Sequence, residues 1–288
     1  MPKPRAILKR AKAVKNIAKI TNTMRKIAQS RFRRAMNRAV AARPYTDRLV
    51  RLIEDLSGAA GEVRHPYLEE REEKRVALLA IASNRGLCGG YNSNVARETL
   101  RARAELEGRG AAVSFVVAGK RLAGMLKYQH VPLDAVLTHI DDRPRFEQVD
   151  ELATRFLPAF EAGKVDALYV TYTRFVSAAR QHAATERVLP LARPATAGEP
   201  APAPDVIFSP DPQTILQDLL PRSVRLKLFQ AFLDAAVSEQ TARMVAMTAA
   251  TDNANDLIEA LTRKYNRSRQ AQITTEISEI VGGAAAQE

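Results

Sequence analysis

From Arg222 to Val281 the chain contains neither glycine nor proline. A stretch of that length without either breaker, rich in Ala, Leu, Arg and Glu, can form little other than one very long helix. Phe229, Leu233, Ala236, Gln240, Arg243, Met247, Ala250, Ala254, Leu257 and Leu261 step by four and three along it. That spacing is a heptad seam. Its alanines would let a partner helix approach closely, and Gln240 and Arg243 would fix register. Pro221 is placed for a helix start, or for a break in a helix beginning near Asp211. Gly282 and Gly283 are expected to stop it.

The other end reads similarly. Between Arg5 and Ser57 there is no glycine, and Pro44 is the single proline. Val14, Ile17, Ile20, Met24 and Ile27 would form one helical stripe. The pattern resumes after Pro44 with Leu49, Leu52, Ile53 and Leu56. Pro44 should kink this helix or begin a second one, and Gly58 and Gly61 should end it. At about 1.5 Å per residue, ~50 residues span ~75 Å, longer than a compact domain of this size is wide. Neither apolar stripe is stable facing water, so each helix is expected to cover the other as an antiparallel pair.

The middle alternates. Val76 to Ala82, Ala111 to Ala118 and Ala167 to Tyr172 are short apolar runs of strand length, with Glu186 to Leu191 as an edge strand. Helical patterns lie between them at Val95 to Leu106, Arg121 to Tyr128 and Gln148 to Phe160. The expected fold is therefore a small, mostly parallel, Rossmann-like α/β sheet set between the two halves of a long antiparallel α-helical coiled coil. The expected divisions are an N-terminal coiled-coil helix at 1–57 and an α/β domain at 74–191. A Pro/Ala-rich connector at 192–210 and a C-terminal coiled-coil helix at 211–283 follow.

Charge narrows the function. The formal net charge is +12, yet residues 1 to 46 hold fourteen Lys or Arg and no acidic residue; subtracting fourteen from +12 leaves −2 for the rest. A basic segment calls for an acidic partner: nucleic acid, anionic lipid or an acidic protein surface. For single-stranded nucleic acid the segment offers only Phe32 and Tyr45 as stacking aromatics. One cysteine, Cys88, excludes an intrachain disulfide, and four scattered histidines give no zinc spacing. No apolar run reaches the ~18 residues of a membrane helix, and the basic N-terminus lacks the apolar stretch of a signal peptide. A cytoplasmic setting is expected.

Ser83 to Asn94 is the sharpest local motif, with Gly86, Gly89 and Gly90 at a strand-to-helix turn. Such a turn can cradle phosphate, but the Lys-Ser/Thr of a P-loop is missing and the spacing is not dinucleotide-binding. The plainer reading is a tight turn with Ser93 or Asn94 as N-cap and Cys88 as a small buried thiol. Arg243 to Met247 reads as coiled-coil core and flank. Ile277, Ile280 and Val281 form an apolar tip that would need a sleeve from another protein.

Three blocks carry a family resemblance: Val14-Lys15-Asn16 through Met24, Asn84 to Asn92, and Glu239 to Ala286 with Tyr265-Asn266-Arg267-Ser268-Arg269-Gln270-Ala271. With them the chain resembles the gamma subunit of F-type ATP synthases, the central rotor stalk. The resemblance implies a non-catalytic subunit without cofactors or bound metal, one copy per complex. It would couple ion flow through the membrane c-ring to cycling of three catalytic beta subunits. Its partners would be the alpha and beta subunits, the epsilon subunit and the c-ring, with no nucleic acid and no membrane insertion. It would sit peripherally at the cytoplasmic face of the cell inner membrane. Residue by residue, Met24 would meet a lever loop of beta that is acidic in the family. Lys15, Lys19, Arg25 and Lys26 would form a basic collar. Arg269 and Gln270, with Thr274 nearby, would bond a catch loop of alpha and beta. Ile277, Ile280 and Val281 would turn in an apolar bearing, and Gly86, Gly89 and Gly90 would shape a structural loop. Two positions depart: Asn22 stands where many relatives have Lys, and Ser209 stands where an acidic residue often precedes Pro-Asp-Pro. The cysteine insert of chloroplast relatives is absent, so no thiol switch is expected.

Overall fold

A computed structural model describes residues 4–60, 65–192 and 211–285. The described elements, in chain order, are α1 (Pro4–Ala60), β1 (Arg75–Ile81), α2 (Tyr91–Gly108), β2 (Ala112–Ala118) and α3 (Lys120–Tyr128). They continue with β3 (Ala135–Leu137), α4 (Phe146–Glu161), β4 (Ala167–Phe175), β5 (Gln181–Leu189) and α5 (Pro212–Ala285). The chain divides into two compact units, Met1–Gln29 with Arg243–Glu288, and Ser30–Ala242. Both α1 and α5 contribute residues to each.

In the smaller unit the two helices share a core of Ile7, Val14, Ala18, Ala254 and Leu261, flanked by Ala11, Ile258 and Tyr265. The Thr21 and Thr251 hydroxyls meet at 2.8 Å. Residues before Thr21 therefore meet residues after Thr251, so the helices are antiparallel. The seam runs through Ile7, Ala11, Val14, Ala18, Thr21, Arg25 and Ala28 on one helix, in alternating steps of four and three. On the other it runs through Met247, Thr251, Ala254, Ile258, Leu261, Tyr265 and Ser268. This corrects two expectations. Ile17, Ile20 and Ile27 are not on the seam; they are 52%, 62% and 42% exposed. Leu257 is 39% exposed, and Ile258 takes its place. The cause is shared: the seam mixes Ile7, Val14 and Leu261 with small and polar residues such as Ala18 and Thr21, so hydrophobicity alone does not mark it.

In the larger unit the strand order is β3-β2-β1-β4-β5, parallel except for β4 with β5. Alternate residues of β1 and β2 serve opposite faces. Leu78, Ala80, Phe115 and Val117 pack on Val95 of α2 and on Leu122 and Leu126 of α3. Ala77, Leu79, Ile81 and Val116 face α4, Leu49 to Leu56 of α1, and Leu216 to Ala235 of α5. Coverage on both faces explains why β1 reads as a continuous apolar run rather than an alternating one. β5 is the half-exposed edge, so its first half, Gln181 to Thr185, is polar. The apolar pattern marks only its second half and passes over the three-residue β3.

Helix ends differ from expectation too. α1 runs through Pro44 and α5 through Pro221. In each case the carbonyl four residues earlier, Val40 or Gln217, belongs to an exposed residue, where water can replace the missing N–H. Asp211 caps α5, accepting from the Thr214 N–H at 2.9 Å. Gly282 and Gly283 do not stop α5, which continues to Ala285; helical glycine costs only about 1 kcal/mol against Ala, too little to force termination. The expected stop at Gly61, Ser209 and all but one residue of the expected connector lie outside the described residues.

The seam assignment is checked by a pair of like substitutions. Leu261→Asp should lower stability by about 2–4 kcal/mol, because it buries a carboxylate and empties an apolar site. Leu257→Asp should change it by less than ~0.5 kcal/mol. Thermal unfolding followed by circular dichroism distinguishes them, and equal losses would refute the seam.

Candidate functional site

The smaller unit carries every partner-contact residue expected from the sequence. Lys15, Lys19 and Lys26 are exposed on α1. They lie on the other flank of α1 from the exposed row of Ile17, Ile20 and Ile27, beside which Met24 is half-buried. Because α1 has no acid before Asp47, its lysines find no partner on their own helix. Arg25 is different. It sits on the seam, half-buried, and its Nη2 donates to Asn22 Oδ1 at 2.8 Å. Asn22, the residue that departs from the common pattern, thus holds a neighbouring guanidinium instead of adding a charge. Arg25 Nε is buried without a partner.

On α5, Arg269, Gln270 and Thr274 are exposed. The Thr274 hydroxyl donates to the Gln270 carbonyl of its own helix at 3.0 Å. Ile277, Ile280 and Val281 are exposed at 55%, 72% and 62%. Among the described residues nothing covers these three large apolar side chains, which stand at helical spacing as an exposed apolar patch. The structure does not gather these residues into a pocket. They lie along helix faces, which is suited to contact with other proteins and not to holding a small substrate.

The Ser83–Asn94 loop belongs to the larger unit and is closed by its own side chains. The Ser83 N–H donates to Asn92 Oδ1 at 3.1 Å, and Asn92 Nδ2 donates to Cys88 Sγ at 3.2 Å. The Tyr91 hydroxyl donates to the Ala235 carbonyl of α5 at 3.2 Å. Asn84 Nδ2 donates to the carbonyls of Thr138 and Ile140. The N-cap of α2 is Gly90, so the helix starts earlier than the expected Ser93 or Asn94 cap. Gly89 adopts φ 55°, which suits glycine, whereas Gly86 and Gly90 have ordinary backbone. A stricter glycine is easily passed over in the sequence: Gly119, at the β2–α3 junction, has φ 127°, and a Cβ there would lie 2.5 Å from the Ala82 carbonyl oxygen. A lone glycine between a strand and a helix is its only signal.

A cavity of about 850 Å³ lies in the larger unit. Leu49, Ile53, Tyr172, Phe175, Lys227 and Asp234 are among its walls. Burial pushes the Lys227 ammonium below its ordinary range, and its Nζ donates to the Arg187 carbonyl at 2.8 Å. Burial raises the Asp234 carboxyl, opposed by the bond from Gln230 Nε2 at 2.8 Å. The hydroxyls of Ser223 and Thr46 donate to carbonyls of their own helices. No histidine or cysteine lines it. The walls thus offer no nucleophile activated by a base. Among the described residues no group of three His, Cys, Asp or Glu could hold a metal ion, and no helix is long and apolar enough to cross a membrane.

Comparison with known proteins agrees with this arrangement. The family described as ATP synthase matches residues 3–287. The ATP synthase gamma chain of Rhodopirellula baltica is 41% identical over 295 residues, covering all of both chains. That of Leptospira biflexa is 42% identical over 99% of both. Among solved structures, a chain of the Euglena gracilis mitochondrial ATP synthase in its third rotational state superposes with a TM-score of 0.69 at 20% identity. It covers 99% of this chain and 94% of that one. A chain from the rotor of the same complex gives 0.64, covering 94% and 98%. The fold is that of a central-stalk subunit. The chain belongs to the ATP synthase gamma-chain family.

The loop geometry gives a graded test. Gly119→Ala should cost about 3 kcal/mol or more, from backbone strain and a carbonyl clash, and Gly90→Ala, in ordinary space, less than ~0.5 kcal/mol. Denaturant unfolding measures both; a tolerated Gly119→Ala would contradict the geometry.

Proposed function

We propose that this chain is the central shaft of an F-type ATP synthase, a non-catalytic rotor subunit that turns within a ring of alpha and beta subunits. One observation carries the reading: the helix pair leaves Ile17, Ile20 and Ile27 outside its seam on one flank of α1, with Lys15, Lys19 and Lys26 exposed on the other. An isolated protein gains nothing from that distribution. A shaft sleeved by acidic loops does.

The mechanism follows from asymmetry. The isoleucine row occupies one flank of α1 and the lysines the other, so each beta subunit in turn would meet a different face. A ring member in contact with the row gains differential binding energy and shifts its conformational population. Swinging such an equilibrium from 1:99 to 99:1 needs about 5.5 kcal/mol. Covering three half-exposed isoleucines contributes roughly 1 kcal/mol each. The apolar row alone therefore falls short, and pairing of Lys15, Lys19 and Lys26 with acidic lever loops would supply the remainder. Met24 would sit at the same contact. Arg269, Gln270 and Thr274 would engage a catch loop of alpha and beta, and Ile277, Ile280 and Val281 would turn in an apolar bearing. Gly86, Gly89 and Gly90 would shape a structural loop on the sheet-bearing foot, which would face the epsilon subunit and the c-ring at the cytoplasmic side of the cell membrane.

Co-expression with alpha and beta subunits should yield an assembly holding one copy of this chain for three of each. Purification without either partner under any nucleotide condition, or binding to DNA that persists at physiological salt, would overturn the reading. Arg269→Ala should leave the stability of the chain within ~0.5 kcal/mol, since the side chain is exposed, yet slow ATP-driven rotation of the assembled complex.

A further inference from the structure

Asp142 lies in the loop between β3 and α4, and one of its oxygens serves both long helices. Oδ2 accepts from Arg31 Nη1 of α1 at 2.6 Å and from Gln240 Nε2 of α5 at 3.2 Å. The Asp142 side chain is almost wholly buried and Gln240 fully so. The amide orientation is set by chemistry: the opposite flip would aim Gln240 Oε1 at a carboxylate. Holding Asp142 leaves Oε1 without a partner, a buried acceptor tolerated for the sake of the bond to Asp142.

The loop bearing Asp142 is itself fastened to the sheet body. Asn84 Nδ2 donates to the carbonyls of Thr138 at 3.1 Å and Ile140 at 3.0 Å, and Asn84 Oδ1 accepts from the Lys120 N–H at 2.9 Å. Gln148 Nε2 of α4 donates to the His139 carbonyl at 3.2 Å, and Ile140 is buried in the core beneath the sheet. Arg31 and Gln240 stand at the last turn of the larger unit, which begins at Ser30 and ends at Ala242. A bracket tied to β1, α3 and α4 therefore ends in one carboxylate that grips both helices.

Apolar packing sets the distance between a helix and a sheet but resists rotation of the helix weakly, because it is not directional. Hydrogen bonds are directional. Turning either helix about its axis against the sheet must stretch a bond to Asp142. Resting on the rotor reading above, we propose that Asp142 is a torque-transmitting positioning residue, passing rotation of the sheet body into both helices of the shaft through Arg31 and Gln240.

The test uses the assembled complex with its alpha and beta ring fixed to a surface and nucleotide-locked. A bead is attached through Tyr128→Cys, a position 86% exposed on the sheet body. The angular fluctuation of the bead reports torsional stiffness. Asp142→Asn keeps the size but replaces charge-assisted bonds, about twice as strong as neutral ones, so the mean-square fluctuation should rise above that of the parent. Gln240→Leu, which removes one of the two grips, should give a smaller rise. Stoichiometry of the complex should stay that of the parent, and a thermal midpoint of the isolated chain well above the temperature of the measurement separates transmission from folding. Parental fluctuation in complexes carrying Asp142→Asn would overturn the proposal. Should Asp142→Asn not assemble, parental fluctuation with Gln240→Leu would overturn it equally, and a rise would support it. Failure of the unsubstituted chain to assemble would instead remove the rotor reading itself.

Discussion

Everything in this chain follows from the pairing of its two ends. Thr21 and Thr251, 230 residues apart in sequence, meet across an antiparallel seam. Closing so long a loop carries a large entropic cost, offset along a whole row of contacts and not at one point. The seam mixes small residues, Ala11, Ala18, Thr21, Thr251 and Ala254, with larger ones, Ile7, Ile258 and Leu261, and the two helices pack as one unit. It has room for only some of the large hydrophobes, and Ile17, Ile20 and Ile27 remain outside it.

Much of the fold was legible in the sequence, and its failures have a common origin. Helix type was clear because glycine and proline were absent. Sheet type was clear because buried parallel strands are uniformly apolar. Hydrophobicity alone points to the wrong seam: Ile17, Ile20, Ile27 and Leu257 lie outside, while Ala11, Ala18 and Thr21 lie within. β3 is too short to show a period, and the polar half of β5 looks like a loop because an edge strand faces water. Gly282 and Gly283 do not end α5, because glycine costs a helix too little to stop it where nothing competes. Asp142 left no signal, since its role depends on two partners about a hundred residues away in either direction.

The larger unit complements the rod. Its glycine-bearing loop is occupied by its own Ser83–Asn92–Cys88 contacts, and its cavity holds a lysine and an aspartate shifted toward neutrality by burial, not an activated nucleophile. The body is built to be held and turned. Through Asn84 and Asp142 it is bolted to both helices by directional bonds, and through Tyr91 to α5 again. A packed core alone would resist twist without the directionality of these bonds.

The central claim is that the two helices act as one shaft throughout the working cycle. It is tested most directly by joining them covalently at the seam, with Thr21→Cys and Thr251→Cys oxidised to a disulfide in the assembled complex. Cys88 is buried and takes no part. ATP-driven rotation of the cross-linked complex should continue in the same direction and at the rate of its reduced form. Rotation that stops on oxidation and returns on reduction would mean that the helices must separate to work, and the pair would not be a shaft.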